Sequence, residues 1–235
     1  MTHSKEYPLQ AVLLFGPPGS GKGTQAGLLA DHSGFYHLDS SRALEAWFRN
    51  VKDEDYVVVE GKKYYAGEER KLWEGGILMS PPVVAHIMKE EIRRLHEAQR
   101  NIVTSGSLRT LYEAEQLFPF LKALYGDNNV VAYWIELDAD QSVYRNSHRR
   151  ICELMRHSIL SNEETKNLAV CPIDGSKLMR REGLDNAETI KTRLKEYAER
   201  TMPVLDYLRS NGCPIREVNG NRSVASVFED INDIY

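Results

Sequence analysis

The sequence predicts an α/β protein: a five-stranded parallel sheet with helices on both faces, interrupted by two insertions. Three observations carry this expectation. Short β-branched or aromatic runs alternate with longer stretches of helical periodicity, the first run enters a glycine-rich turn, and two segments, about 41–76 and 151–183, break the alternation. Hydrophobic residues make up 42% of the 235-residue chain, enough to bury a large core without a metal or a disulfide.

The expected strands, in order, are AVLLF from Ala11, FYHLD from Phe35, NIVTS from Asn101, VVAYWIEL from Val130 and PIREV from Pro214. Within the first insertion, VVVEGKKYY suggests a small hairpin centred on Glu60 and Gly61 in an otherwise charged, solvated run. The segment PPVVAHIMKEEIRRL opens with prolines suited to a first helical turn and sets Val84, Ile87, Met88 and Leu95 on one stripe. Asp185 is the expected N-cap of a later helix, with Glu188 three positions on and Ile190, Leu194, Tyr197 and Ala198 at helical spacing. Pro203 is expected to kink or end that helix. The tail from Ser223 places Val224, Val227, Phe228, Ile231 and Ile234 on one face.

A strand that runs into Gly16, Gly19 and Gly21 and is followed by a helix aims backbone N–H groups at one spot, where the helix N-terminus adds partial positive charge. Anionic phosphate is the ligand such a nest binds. Lys22 would bridge terminal phosphates and the Thr24 hydroxyl would meet another oxygen, with Pro18 and Ser20 in the same loop. The commoner form of this loop puts Ser or Thr directly after the lysine, whereas here Gly23 intervenes.

Composition narrows the partners. A formal net charge of -4 argues against a general affinity for nucleic acid. The polar start MTHSKEYPLQ and the short AVLLF run predict neither a signal peptide nor a membrane span. Cys152, Cys171 and Cys213 make an odd set, which suits a reducing compartment, and the expected location is the cytoplasm.

The segment GPPGSGKGTQA resembles the phosphate loop of the adenylate kinases and their nucleoside monophosphate kinase relatives, which share the glycine between lysine and threonine. The resemblance continues through GSLRT (Gly106 to Thr110), YRNSHRR (Tyr144 to Arg150), CPIDG (Cys171 to Gly175) and ETIKTRL (Glu188 to Leu194), nearly the whole chain. It implies a P-loop NTPase core over 1–40, 77–150 and 184–235, a monophosphate-binding insertion over 41–76 and a lid over 151–183. It also implies reversible transfer of the γ-phosphoryl of ATP, brought with Mg²⁺, to AMP or another nucleoside monophosphate by a monomer.

Such a transfer gathers many negative oxygens out of water, and arginine forks suit that task. By resemblance, Arg109 would hold the acceptor phosphate, and Arg149 and Arg193 would surround the transferred group. Arg181, or Arg180 if the alignment slips by one, would join them from the lid. Arg145 would lie against the ATP base, Arg222 is placed with ATP, and Ser40 is placed with the acceptor.

Some positions depart from the family pattern. Ser105 stands where relatives carry an aspartate that helps to order Mg²⁺ through water. Arg42 takes the place of a second aspartate, and Glu45 that of an arginine for the acceptor phosphate. A desolvated Glu45 would repel an anion, so Arg42, about one helical turn earlier, is the expected substitute. Glu113 aligns with a glutamine that reads the adenine of AMP. These departures keep open a nucleotide-binding regulatory module with little turnover, or a P-loop kinase for another small acceptor, beside the monophosphate kinase.

Many relatives clamp a structural zinc between two C-x-x-C/D hooks in the lid. Here Cys171 and Asp174 form the second hook, while Cys152 lacks its partner because Met155 stands there, and His157 could substitute. A Cys-His-Cys-Asp zinc site and a zinc-free lid are both open on sequence grounds. Cys213 is read as packing, His148 as a neighbour of the phosphates, and Tyr64, Tyr65 and Trp73 as either surface or a stacking platform for the acceptor base.

Overall fold

The computed structural model describes residues 8–75, 77–180 and 185–232, without the side chain of Ala187. In chain order, β1 (Ala11–Phe15) leads into α1 (Lys22–Ser33), and β2 (Tyr36–Asp39) leads into α2 (Ser40–Asn50). The hairpin β3 (Tyr56–Val59) and β4 (Lys62–Tyr65) is followed by α3 (Ala66–Glu74), α4 (Pro81–Glu97), β5 (Ile102–Ser105) and α5 (Leu111–Tyr125). Next come β6 (Val130–Glu136), α6 (Ala139–His148), and the short strands β7 (Arg150–Cys152), β8 (Ser158–Ile159) and β9 (Leu178–Met179). The chain then forms α7 (Ala187–Glu196), α8 (Met202–Ser210), β10 (Ile215–Asn219) and α9 (Val224–Asn232).

The five expected core strands form one parallel sheet in the order β10-β6-β1-β5-β2. Alternation along β1 explains its two-sided burial. Ala11, Leu13 and Phe15 enter the layer built with α4, α5 and α8, while Val12 and Leu14 face α1 and α9 on the other side. The expected stripe of α4 is buried at Val84, Ile87, Met88 and Leu95. Because every strand points the same way, the segments after Phe15, Asp39, Ser105 and Glu136 all emerge at one end of the sheet, the usual ligand crevice of open α/β sheets.

The first insertion is more regular than its sequence suggested: a helix, a hairpin and a second helix. The hairpin pairs Val59 with Lys62 across Glu60 and Gly61, both at positive φ (52° and 78°), the conformation of a tight two-residue turn. The second insertion holds a small antiparallel sheet in the order β8-β7-β9. Arg150 ties the loop that follows it, donating to the carbonyls of Thr165 and Leu168.

Two expectations about the C-terminal third are corrected. The N-cap of α7 is Asn186, whose side chain accepts from Thr189 N–H, because Asp185 is drawn instead into an ion pair with Arg149. Pro203 does not end the helical run. A π-helical turn over Tyr197–Thr201 widens the spiral just before it, so the missing N–H falls in the first turn of α8 and the helix continues. In α9, Val227 and Ile231 are buried as expected, and Ile234 lies outside the described residues.

Candidate active site

The glycine-rich turn is held from below. Gly16 has φ 146°, and a Cβ there would sit 2.4 Å from the Ile135 carbonyl oxygen, so only glycine lets β1 turn this closely over β6. At Gly19 (φ 80°) a Cβ would meet Asn146 Nδ2 at 2.5 Å. Asn146 and Ser142 lie one turn apart on α6, both buried. The Ser142 hydroxyl donates to the Pro18 carbonyl at 2.6 Å, and Asn146 Nδ2 donates to the Ser142 carbonyl at 2.8 Å. These two supports were not foreseen. Their signal was the i, i+4 spacing of Ser142 and Asn146, which sets them on one helix face.

Lys22 Nζ donates to the Gly16 and Pro17 carbonyls at 2.7 and 2.8 Å and reaches Ser20 Oγ at 3.3 Å. Burial pushes its amine from the ordinary 10.5 down to about 7, and the like charges of Arg109 and Arg193 push the same way. Arg109, expected at the acceptor phosphate, and Arg193, expected around the transferred group, are therefore electrostatic neighbours of the loop lysine. Gly23 and Thr24 form the first turn of α1, whose free N–H groups face the same region.

Arg109 is set by the turn after β5. Its Nε donates to the Gly106 carbonyl at 2.5 Å, and the same oxygen accepts from Ser40 Oγ at 2.8 Å. Two of the residues expected at the acceptor, Ser40 and Arg109, thus meet at one carbonyl. Thr201 Oγ1 braces the Arg109 carbonyl from the π-helical turn at 3.1 Å. Arg149 Nη2 donates to Asp185 at 2.7 Å in a largely buried ion pair, and its Nε is buried without a hydrogen-bond partner among the described residues. Arg145 borders a cleft of about 190 Å³ that Tyr144 and His148 share with Leu160, Ser161 and Asn162 of the second insertion. His148 belongs to this cleft, its ring 4.4 Å from that of Tyr144, and hydrogen-bonds the Tyr144 carbonyl.

The other expected residues have these surroundings. Arg181 lies outside the described residues. Arg222 is exposed, pairs with Asp230 and donates to the Asn219 carbonyl. Arg42 is exposed on α2 close enough to influence His37, while Glu45 faces Arg49 at 4.0 Å along the same helix. Glu113 has both carboxylate oxygens engaged at the start of α5, accepting from Arg109 N–H (3.1 Å) and Thr110 Oγ1 (2.9 Å), while Thr110 accepts from Glu113 N–H. That is a capping box, and burial raises the carboxyl pKa. Ser105 Oγ lies 2.7 Å from His37 Nε2, whose imidazole burial disfavours the charged form. Trp73 packs partly buried beside Phe48, and Tyr65 stays exposed against Tyr56. Cys213 is buried and its thiol is pushed up to about 11, as packing requires.

In the second insertion, one ligand atom from each of Cys152, His157, Cys171 and Asp174 lies within 4.8 Å of the others. Asp174 Oδ2 is 3.1 Å from Cys152 Sγ and 3.2 Å from His157 Nδ1, and Cys171 Sγ is 3.5 Å from the same imidazole nitrogen. Edges of about 3.3–3.8 Å are what a tetrahedron with zinc-ligand bonds of about 2.0–2.3 Å requires, so the four donors fit zinc in number, type and spacing. The Ser176 hydroxyl and N–H hold the Asp174 carboxyl well below the usual range, keeping it an anionic donor.

A parallel sheet whose first strand turns through a glycine loop and a half-buried lysine into a helix N-terminus, with Arg109 and Arg193 as electrostatic neighbours of that lysine, defines a P-loop protein that handles nucleotide phosphates. Comparison with known proteins narrows the class. A family model described as adenylate kinase matches residues 14–213. An adenylate kinase of Clostridium botulinum is 30% identical over 224 residues, spanning 95% of this chain and 97% of that protein. Adenylate kinases of Staphylococcus epidermidis and Staphylococcus aureus are each 29% identical over 226 and 227 residues, with the same coverage. The chain belongs to the adenylate kinase family, and with it to the phosphotransferases that act on nucleoside monophosphates. Among the described residues, no helix is long and apolar enough to cross a membrane.

Proposed function

We propose that the protein transfers the γ-phosphoryl group of ATP, supplied as its magnesium complex, to AMP. The observation that carries this reading is the convergence of Lys22, Arg109 and Arg193 beside a glycine loop, a concentration of basic groups suited to a polyanion. Mg²⁺ enters with the substrate and neutralises part of the donor charge. Lys22 and the N–H groups of Gly19, Gly21, Gly23 and Thr24 hold the donor phosphates, and the Arg145 cleft takes the ATP base. Arg109, Ser40 and the exposed Arg42 receive the acceptor phosphate. Arg149, kept in place by Asp185, and Arg193 stabilise the group in transit. The acceptor is already an anion, so no general base is required.

The segments 41–76 and 151–183 are proposed as the acceptor-binding part and the lid, whose closure strengthens the arginine contacts and keeps water from the transferred group. In the lid, Cys152, His157, Cys171 and Asp174 would hold a structural zinc, which would stiffen the small sheet β7–β9. The proposed working form is a cytoplasmic monomer without disulfides, with Cys152 and Cys171 given to the zinc and Cys213 to packing.

The test is direct. Purified protein is incubated with Mg-ATP and, separately, AMP, CMP, UMP, GMP or dTMP, and the products are separated. Diphosphate formed mainly from AMP, and lost in Lys22→Ala, is expected. Tight ATP binding without diphosphate from any acceptor would overturn the reading in favour of a silent nucleotide-binding module.

A further inference from the structure

The hairpin β3–β4 does more than decorate the surface. Val57 and Tyr64 face each other across its strands, and both pack partly buried against the core layer to which α4 contributes. Tyr56 and Tyr65 form the opposite pair, with ring centroids 5.6 Å apart, and are exposed. One face is therefore docked and the other wet, which fixes the direction in which the tip points.

The tip reaches the core. Glu60 Oε1, at the turn, accepts from the Tyr112 hydroxyl at 2.9 Å, across 52 residues of chain. Tyr112 lies in the first turn of α5, three positions after Arg109. At the root of the same insertion, Ser40 Oγ donates to the Gly106 carbonyl that also accepts from Arg109 Nε. The insertion is thus tied beside Arg109 at two separated points, at Ser40 just before it and at the hairpin tip, which meets the first turn of α5. Burial, the Glu60 hydrogen bond and the Glu60 charge push the Tyr112 phenol up to about 12, so it remains a donor throughout the working range.

We propose that Glu60 and Tyr112 are positioning residues: a clasp that holds the hairpin across the side of the acceptor site, keeping the insertion closed on the turn that presents Arg109 and lowering the KM for the nucleoside monophosphate. This rests on the phosphotransferase reading of the same site. The clasp touches neither the phosphate loop nor the Arg145 cleft, so its effect falls on the acceptor alone. Tyr64, an electrostatic neighbour of Tyr112, lies on the docked face and forms part of the wall that the clasp keeps in place.

The experiment compares wild type, Tyr112→Phe, Glu60→Ala and the double variant. Loss of one hydrogen bond predicts an acceptor KM raised about three- to tenfold in each single variant. The double variant should be no worse than the singles, with KM for ATP and kcat unchanged and the melting temperature held. Equilibrium dialysis with labelled AMP is run in parallel and should show the same rise in Kd. Unchanged acceptor KM and Kd, effects that multiply in the double variant, or an equal rise in KM for ATP would each overturn the clasp. Absence of turnover in wild type would count against the phosphotransferase reading, and a flat Kd against the clasp, so the two failures are distinct.

Discussion

Lys22 carries the most testable property of any single residue. Its folded-state pKa, about 7, lies below the ordinary 10.5 of an unfolded chain, so between these values the unfolded chain binds more protons and ligand-free stability rises with pH. A bound triphosphate reverses the balance by favouring the ammonium. At about pH 8, where the ligand-free side chain is mostly neutral, ATP binding should therefore take up most of one proton. Calorimetry in buffers of different ionisation enthalpy reads that uptake directly, and it should vanish in Lys22→Met; a buffer-independent enthalpy for wild type would contradict the shifted lysine. The support beneath the loop makes a second prediction. Ser142→Ala leaves the Pro18 carbonyl without its 2.6 Å donor in a buried setting, at a cost of about 1–3 kcal/mol. The expected result is a lower melting temperature and a raised KM for ATP with little change in KM for AMP. An unaltered KM for ATP would mean that α6 does not hold the loop in its binding shape.

At the scale of elements, the segment proposed as the lid offers the clearest chemical test. Its small sheet has strands of only two or three residues, too little paired backbone to be rigid alone, so the four-donor cluster at its base is expected to bear its stability. Metal analysis of protein purified without chelator should give about one zinc per chain, and Cys171→Ser should lose it and melt earlier. Protein with no zinc and an unchanged Cys171→Ser melting curve would assign the lid to hydrogen bonds and packing. The cluster was legible because cysteine spacing is a local signal, and His157 stands out as a donor close to the defective hook. The five core strands were legible for a similar reason: continuous apolar runs such as AVLLF have few other uses. Less legible were features set by competition between distant groups. Asp185 reads as a cap until Arg149 claims it, Glu113 reads as a contact to a base until the start of α5 claims it, and Ser142 and Asn146 look like ordinary polar helix residues until Pro18 and Gly19 are packed above them. The π-helical turn before Pro203 likewise depends on tertiary support, since Thr201 is fastened to the Arg109 carbonyl.

For the whole molecule, the question is whether donor and acceptor sites act as one. The Arg145 cleft joins α6 to the second insertion, and the Ser40–Arg109 turn, an electrostatic neighbour of Lys22, joins the first insertion to β5. A single ligand carrying two adenosines on a chain of five phosphates would engage both insertions and the central cations together, whereas ATP or AMP alone satisfies only part of that charge. At a concentration about 100 times its Kd, such a ligand adds about 2.7 kcal/mol of stability. For a chain of this size that is a rise of about 5–10 °C in melting temperature. The shift should exceed that from ATP and AMP added together at equal concentration, because one molecule meets both sites without a second loss of translational freedom. It should shrink in Lys22→Ala and in Arg149→Ala, and fall with added salt as the cationic pocket is screened. A shift no larger than that of ATP alone would mean that the two insertions do not close on a common phosphate chain, and the in-line transfer proposed for Lys22, Arg109, Arg149 and Arg193 would lose its geometric basis.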